Sequence, residues 1–143
     1  MVLISKAMVV VGSVASIGFG IWHFFVPSIW RWSAYIDTNA TELAVAVRAI
    51  NVFFSLSLVL FGGINILLSL ADRSDRYSLI VVLAATCVLW LTRVALQIIY
   101  PQGLLYPGLR YSMLATFVAI LLCYVIPLVS LVSQRIPSDG HTF

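Results

Sequence analysis

Four long apolar runs, at about residues 4–26, 43–71, 77–100 and 111–132, occupy most of this 143-residue chain. Each run meets the roughly 20 residues that a helix needs to cross about 30 Å of hydrocarbon. Backbone groups in lipid can bond only to each other, so each run should be helical. Charged residues make up 9% of the chain, against about 25% in soluble domains. The sequence therefore predicts an all-α, integral membrane four-helix up-down bundle that forms a single domain over residues 1–143.

The first run contains small residues at intervals of four, Gly12, Ser16 and Gly20. Such a stripe lets a neighbouring helix approach closely, so we expect helix packing there. Chance spacing in a glycine-rich apolar helix is the alternative. We expect Pro27 to end this helix, because proline removes a backbone donor.

The second and third runs each carry a polar stripe. At about 100° per residue, the polar and small residues of the second run fall within about a third of the circumference. In the third run, such residues recur at intervals of three and four, which also places them on one face of a helix. The two stripes consist of Arg48, Asn51, Ser55, Gly62, Asn65 and Ser69, and of Thr86, Trp90, Arg93, Gln97 and Tyr100. These faces are expected to contact protein rather than lipid.

Aligning the helices by depth brings one group of polar residues together in the outer third of the bundle. An arginine at the centre of a spanning helix costs about 2.5–3.5 kcal/mol on insertion scales, so it needs partners. The acids on that side, Asp37 and Glu42, do not lie deep in an apolar run. We therefore expect a ligand with acceptor oxygens, such as a lipid phosphate, a carboxylate or a quinone, to which guanidinium donors are suited. The candidate ligand-binding residues are His23, Arg48, Asn51, Arg93, Gln97 and Tyr111.

Purely structural roles compete with this interpretation. Arg48 can extend to the headgroups along its aliphatic stem. Arg93 can bond Gln97, backbone carbonyls or Glu42 and so join the second and third helices. Asn51 can act as a hydrogen-bonding contact between helices.

Metal and catalytic sites are not indicated. The histidines are His23 and His141, and His141 lies in the tail, so one chain cannot supply two axial haem ligands; a single axial ligand stays open. The apolar runs hold no carboxylate and no second histidine for a metal, and no nucleophile elbow for hydrolysis. Cys87 and Cys123 fit no metal or redox spacing and are expected to be free thiols. We expect no catalytic residues and no metal.

Two short motifs resemble those of the DoxX-like small four-helix membrane proteins. Residues 20–27, Gly-Ile-Trp-His-Phe-Phe-Val-Pro, are similar to the family's first-helix signature, and residues 60–68 are similar to its Gly-Gly-Leu-Leu-Leu element. The family's acidic position before that element is apolar here, at Leu58 and Val59, and the third helix matches no family pattern. The resemblance implies an accessory subunit, paired in some members with a quinone-reducing partner.

The basic residues predict the orientation. Lys6, Arg73, Arg76 and Arg135 lie on one side of the predicted helices, and Arg31 and Arg110 lie on the other. We expect both termini in the cytoplasm and the inner membrane of a bacterium as the location. The net charge of +3 is spread over the chain and indicates no nucleic-acid partner.

The expected function is that of a non-catalytic small subunit in the bilayer. It would pack against a larger membrane protein complex, or form a homo-oligomer, and bind lipid or quinone in its outer third. The alternative is a redox-complex subunit that forms a quinone site for a partner oxidoreductase. A small-solute transporter is the third hypothesis, weakened because helices 1 to 3 show no midplane break.

Overall fold

A computed structural model describes residues 2–37, 39–71, 75–103 and 108–134, and it confirms the all-α four-helix bundle. The bounds lie within three residues of those predicted from the apolar runs. All four helices are long and apolar enough to cross a membrane, so the chain is an integral membrane protein. The helices are α1 (Leu3–Ile29), α2 (Thr41–Leu70), α3 (Arg76–Ile99) and α4 (Leu109–Ser133), with a short 3-10 helix at Trp32–Ala34.

Successive helices lie antiparallel and close a ring. The most extensive contacts join α1 to α2 and α3 to α4, α1 also packs on α4, and the α2–α3 contact is the narrowest. At the narrow contact, Asn65 Nδ2 donates to Thr86 Oγ1 at 2.7 Å. The connection between α1 and α2, and the one between α3 and α4, lie at the same end of the bundle, which we call the loop end.

The small-residue stripe of α1 lies inside the bundle. A Cβ atom on Gly12 would lie 2.8 Å from Cys123 Cβ of α4, and one on Gly20 would lie 2.8 Å from the Ser55 carbonyl oxygen of α2. Ser16 is buried between them. The stripe therefore brings α1 close to two other helices of the same chain.

A hydrogen-bonded network crosses the middle of the bundle. Trp90 Nε1 donates to Ser16 Oγ at 3.0 Å, and Tyr124 Oη lies 3.0 Å from the same oxygen. Tyr124 also donates to Ser13 at 3.2 Å. Because these groups satisfy one another, α1, α3 and α4 can bury polar side chains in an apolar core.

The expectation that Pro27 ends α1 is wrong. The helix includes Pro27 and continues to Ile29. It stops where Arg31 adopts the left-handed conformation, with φ 50°, and the Arg31 N–H bonds the Ser28 carbonyl at 3.3 Å. Proline lacks an N–H but does not prevent a helix when another donor serves the freed carbonyl.

The first three turns of α2 have little contact with the rest of the bundle. Residues 41–50 are exposed except for the half-buried Val47. Arg48 lies in this segment and is exposed, although its position on the helix matches the buried stripe further along.

The end of the bundle opposite the loop end is held by Arg76. Its guanidinium donates to the Leu131 carbonyl at 2.5 Å and to the Gln134 carbonyl, so a cation caps the last turn of α4. Arg73, Arg135 and His141, used above for orientation and haem ligation, lie outside the described residues.

Candidate functional site

The site begins with the backbone of His23. Its carbonyl would normally bond the N–H of residue 27, which is Pro27 and has none. The side chain of Asn51 takes that place, because its Nδ2 donates to the His23 carbonyl oxygen at 3.2 Å. This hydrogen bond from Asn51 joins α2 to α1 at the level of the His23 imidazole.

The His23 imidazole is half-buried among aromatic rings. Its Nδ1 lies 3.4 Å from Ser55 Oγ. The ring centroids of Phe54 and Phe19 lie 4.8 Å and 5.6 Å from that of His23, with Phe54 edge-on. Contacts from α1 and α2 therefore hold the ring in one orientation.

Arg93 is the buried cation of the site, with 8% of its surface exposed. Its Nη2 donates to Gln102 Oε1 at 2.7 Å, and its Cζ lies 4.3 Å from the centre of the Phe117 ring. Over residues 2–37, 39–71, 75–103 and 108–134 no carboxylate pairs with it. A charge in this position is stabilised only by a carbonyl dipole and a ring face.

Gln97, one turn after Arg93, holds the same loop residue. Its Nε2 donates to the Gln102 carbonyl oxygen at 3.0 Å, while its own Oε1 is buried without a hydrogen-bond partner. The loop can turn back here because Gly103 adopts φ +87°, where a side chain would be strained. Arg93 and Gln97 together fix Gln102 over the loop end of α1.

A partly open cleft of about 230 Å³ lies between α1, α4 and the two connections. Phe19 lines the cleft and also packs on Phe117, with 5.2 Å between the two ring centroids. Phe117 in turn contacts the guanidinium of Arg93. The cleft is smaller than the roughly 300–1,000 Å³ of sites for drug-sized ligands, so it fits a headgroup rather than a whole lipid. Its lining residues are Phe19, Trp22, His23, Val26, Trp30, Trp32, Gln102 and Met113.

Several residues that line this cleft carry hydrogen-bond donors in their side chains. Trp22, Trp30 and Trp32 each carry an indole N–H, and none of them bonds another described residue. Gln102 has its oxygen engaged by Arg93, and no described residue accepts from its amide hydrogens, so a ligand could accept from them. A flat molecule with acceptor oxygens would match both the aromatic walls and these donors.

Four of the six predicted ligand-binding residues come together. His23 and Asn51 meet at the α1–α2 contact, and Arg93 and Gln97 meet on Gln102. Of these, His23 lines the cleft, and the other three position His23 or Gln102.

The remaining two predicted residues lie apart. Arg48 is exposed on the segment of α2 that has little contact with the bundle. Tyr111 is 69% exposed at the start of α4, where its ring lies 5.7 Å from the guanidinium of Arg110. The structural alternative joined Arg93 to Gln97, a backbone carbonyl or Glu42; among the described residues, its hydrogen bond goes instead to the side chain of Gln102.

Sequence reasoning missed most of the cleft lining. The residues predicted from the sequence as ligand-binding do not include Trp30, Trp32 or Gln102. A signal for Gln102 was its place between Pro101 and Gly103, as the amide-bearing residue of a turn beside an apolar helix.

The described residues contain no group of three or more His, Cys, Asp or Glu side chains that could hold a metal ion. Cys87 and Cys123 are free thiols, as predicted.

Comparison with known proteins finds no matching family model, no matching curated protein and no matching solved structure. The resemblance to the DoxX-like proteins stays a prediction.

Proposed function

We propose that this chain is a non-catalytic integral membrane subunit that binds the ring of a quinone-type lipid in the aromatic cleft. The observation that carries the proposal is the pairing of Gln102 with Arg93, at 2.7 Å, beside three tryptophans whose N–H groups have no partner among the described residues. These donors border an aromatic cleft, and a ligand that brings acceptor oxygens would satisfy them there.

The position of the charge favours a quinone over a phosphate. A phosphate would call for a cation in direct contact, preferably with two parallel hydrogen bonds. Arg93 does not line the cleft; Gln102 lies between it and the space that a ligand would fill. A neutral carbonyl oxygen can bond the Gln102 amide, and a planar ring can stack on indole.

The accessory role is supported by the resemblance to the DoxX-like proteins and by the small size of the cleft. A quinone held by its ring at the loop end would leave its tail in the bilayer, where a partner oxidoreductase could reach the ring. In this form the redox alternative and the subunit hypothesis share one site and differ only in whether the partner exchanges electrons with the bound ring. The loop end is proposed to face away from the cytoplasm, on the basis of the basic residues.

The proposal is tested by extracting the protein, purified in mild detergent, and measuring bound quinone and phospholipid. We expect quinone to co-purify in an amount approaching one per chain. Gln102→Leu should remove most of it, because it deletes the amide donor and also takes the acceptor oxygen away from Arg93. Arg48→Met is the control, since Arg48 is exposed and does not line the cleft.

Two outcomes would contradict the proposal. Phospholipid without quinone would indicate a lipid headgroup site, and equal quinone in both variants would indicate adsorption to the apolar surface. Recovery of the chain in a larger complex from native membranes, by affinity purification, tests the subunit role separately.

A further inference from the structure

The hydroxyl group of Ser55 determines which nitrogen of His23 carries the proton. Ser55 Oγ lies 2.7 Å from the Asn51 carbonyl oxygen and 3.4 Å from His23 Nδ1. A hydroxyl has one hydrogen, and a carbonyl can only accept, so the shorter contact takes that hydrogen. Ser55 therefore meets Nδ1 as an acceptor, and Nδ1 of the neutral imidazole holds the proton.

The second ring nitrogen, Nε2, is then an acceptor. No hydrogen bond joins Nε2 to another described residue, although the Asn51 amide also lies beside the imidazole, and His23 lines the cleft. The ring cannot easily turn over, because Phe19, Phe54 and Trp22 surround it and a flip would lose the bond to Ser55.

The cleft therefore presents two different kinds of polar group. His23 offers a lone pair, whereas Gln102 offers amide hydrogens because Arg93 engages its oxygen. A hydroxyl group can donate to the first, and any ring oxygen can accept from the second. An oxidised quinone carries carbonyl oxygens only, and it would place an acceptor against the lone pair of Nε2.

We infer that the cleft binds the reduced, hydroxyl-bearing form of the ring more tightly than the oxidised form. One ring hydroxyl donates to His23 Nε2, and the oxygen on the opposite side of the ring accepts from Gln102. This inference rests on the proposed function and adds to it the redox state of the ligand. A subunit with this preference would hold the product of a quinone-reducing reaction or the substrate of a quinol-oxidising one.

The test is anaerobic calorimetric titration of the purified protein with a short-chain 1,4-benzoquinone and with its chemically reduced quinol. One neutral hydrogen bond predicts that the quinol binds about five- to tenfold more tightly. His23→Phe should abolish that ratio by weakening the quinol alone. Ser55→Ala should reduce the ratio while keeping quinone affinity, because without its acceptor Nδ1 no longer fixes the tautomer.

The results separate the two proposals. Equal affinities, tighter binding of the quinone, or equal weakening of both ligands in His23→Phe would overturn the inference and leave the proposed function standing. Failure of the unsubstituted protein to bind either ligand would overturn the proposed function itself. Ser55→Ala keeps the test valid if His23→Phe does not fold, since it removes only a hydroxyl.

Discussion

Asn51 donates a side-chain hydrogen bond to the backbone carbonyl of His23, at 3.2 Å, in the one turn of α1 where Pro27 supplies no N–H. The donor belongs to a different helix from the acceptor. Asn51, which the sequence predicts as a ligand-binding residue, therefore supplies the hydrogen bond that α1 lacks at Pro27. The same bond positions the His23 imidazole along α1.

This relationship predicts a strong coupling between Asn51 and Pro27. Asn51→Leu should lower the free energy of unfolding by about 1–3 kcal/mol, because it leaves the part-buried His23 carbonyl without a donor. Pro27→Ala restores the helical N–H, so Asn51→Leu should cost about 1 kcal/mol less in that background. Unfolding in mixed detergent–SDS micelles measures this free energy for the unsubstituted protein, for each single variant and for the double variant. Equal costs in both backgrounds would show that Asn51 does not replace the missing donor.

The glycines of α1 and α2 provide two matched pairs. A Cβ atom on Gly20 would lie 2.8 Å from a backbone oxygen and one on Gly62 would lie 2.7 Å from Ile17 Cγ1, whereas Gly18 and Gly63 have open space. Gly20→Ala and Gly62→Ala should destabilise the bundle by about 1–3 kcal/mol through overpacking. Gly18→Ala and Gly63→Ala should be neutral or stabilise it by up to about 1 kcal/mol. The same SDS titration measures the free energy of unfolding of all four variants. Equal effects of Gly20→Ala and Gly18→Ala, or of Gly62→Ala and Gly63→Ala, would contradict the close α1–α2 contact.

Arg93 should affect stability and binding in opposite directions. Arg93→Met removes a buried charge that has no counter-ion among the described residues, so the free energy of unfolding should stay the same or rise by up to about 2 kcal/mol. It also releases Gln102, and quinone affinity should fall about tenfold. Thermal unfolding and titration with a short-chain quinone are the measurements. Arg48→Met should change neither quantity, and a strongly destabilised Arg93→Met would indicate that the guanidinium is a structural brace.

The backbone at Arg31 carries strain that a glycine would relieve. Its φ of 50° is costly for a residue with a Cβ atom, and it turns the chain between Trp30 and Trp32, which both line the cleft. Arg31→Gly should raise the free energy of unfolding by about 1 kcal/mol. Arg31→Ala separates the backbone from the charge, because it removes the side chain and keeps the strain. If both variants gain the same stability, the charge rather than the conformation is responsible.

The sequence predicts the spans well because length and hydropathy are local properties. The polar stripe of α2 also predicts a buried face, and Asn51, Ser55 and Asn65 are indeed buried. The same periodicity fails for Arg48, since helical angle says nothing about how far along α2 the neighbouring helices extend.

The cleft itself could not be read from periodicity, because it depends on two connections folding over the end of a helix. Gln102 meets Arg93 just before the turn at Gly103, and Trp30 and Trp32 flank Arg31, which takes a left-handed conformation. Both arrangements depend on how the connections fold, which the periodicity of the helices does not encode. Composition predicts that such tryptophans lie near the membrane surface, and that prediction does not distinguish an aromatic belt from a binding site.

The most direct test of the account is photo-crosslinking in membranes with a quinone that carries a photoreactive group on its ring, followed by mapping of the labelled residues by mass spectrometry. We predict labelling of the cleft lining, around Trp22, Trp30 and Gln102, that excess unlabelled quinone suppresses. Labelling spread over lipid-facing positions such as Phe53 and Leu60, unaffected by competitor, would contradict a quinone site in this cleft.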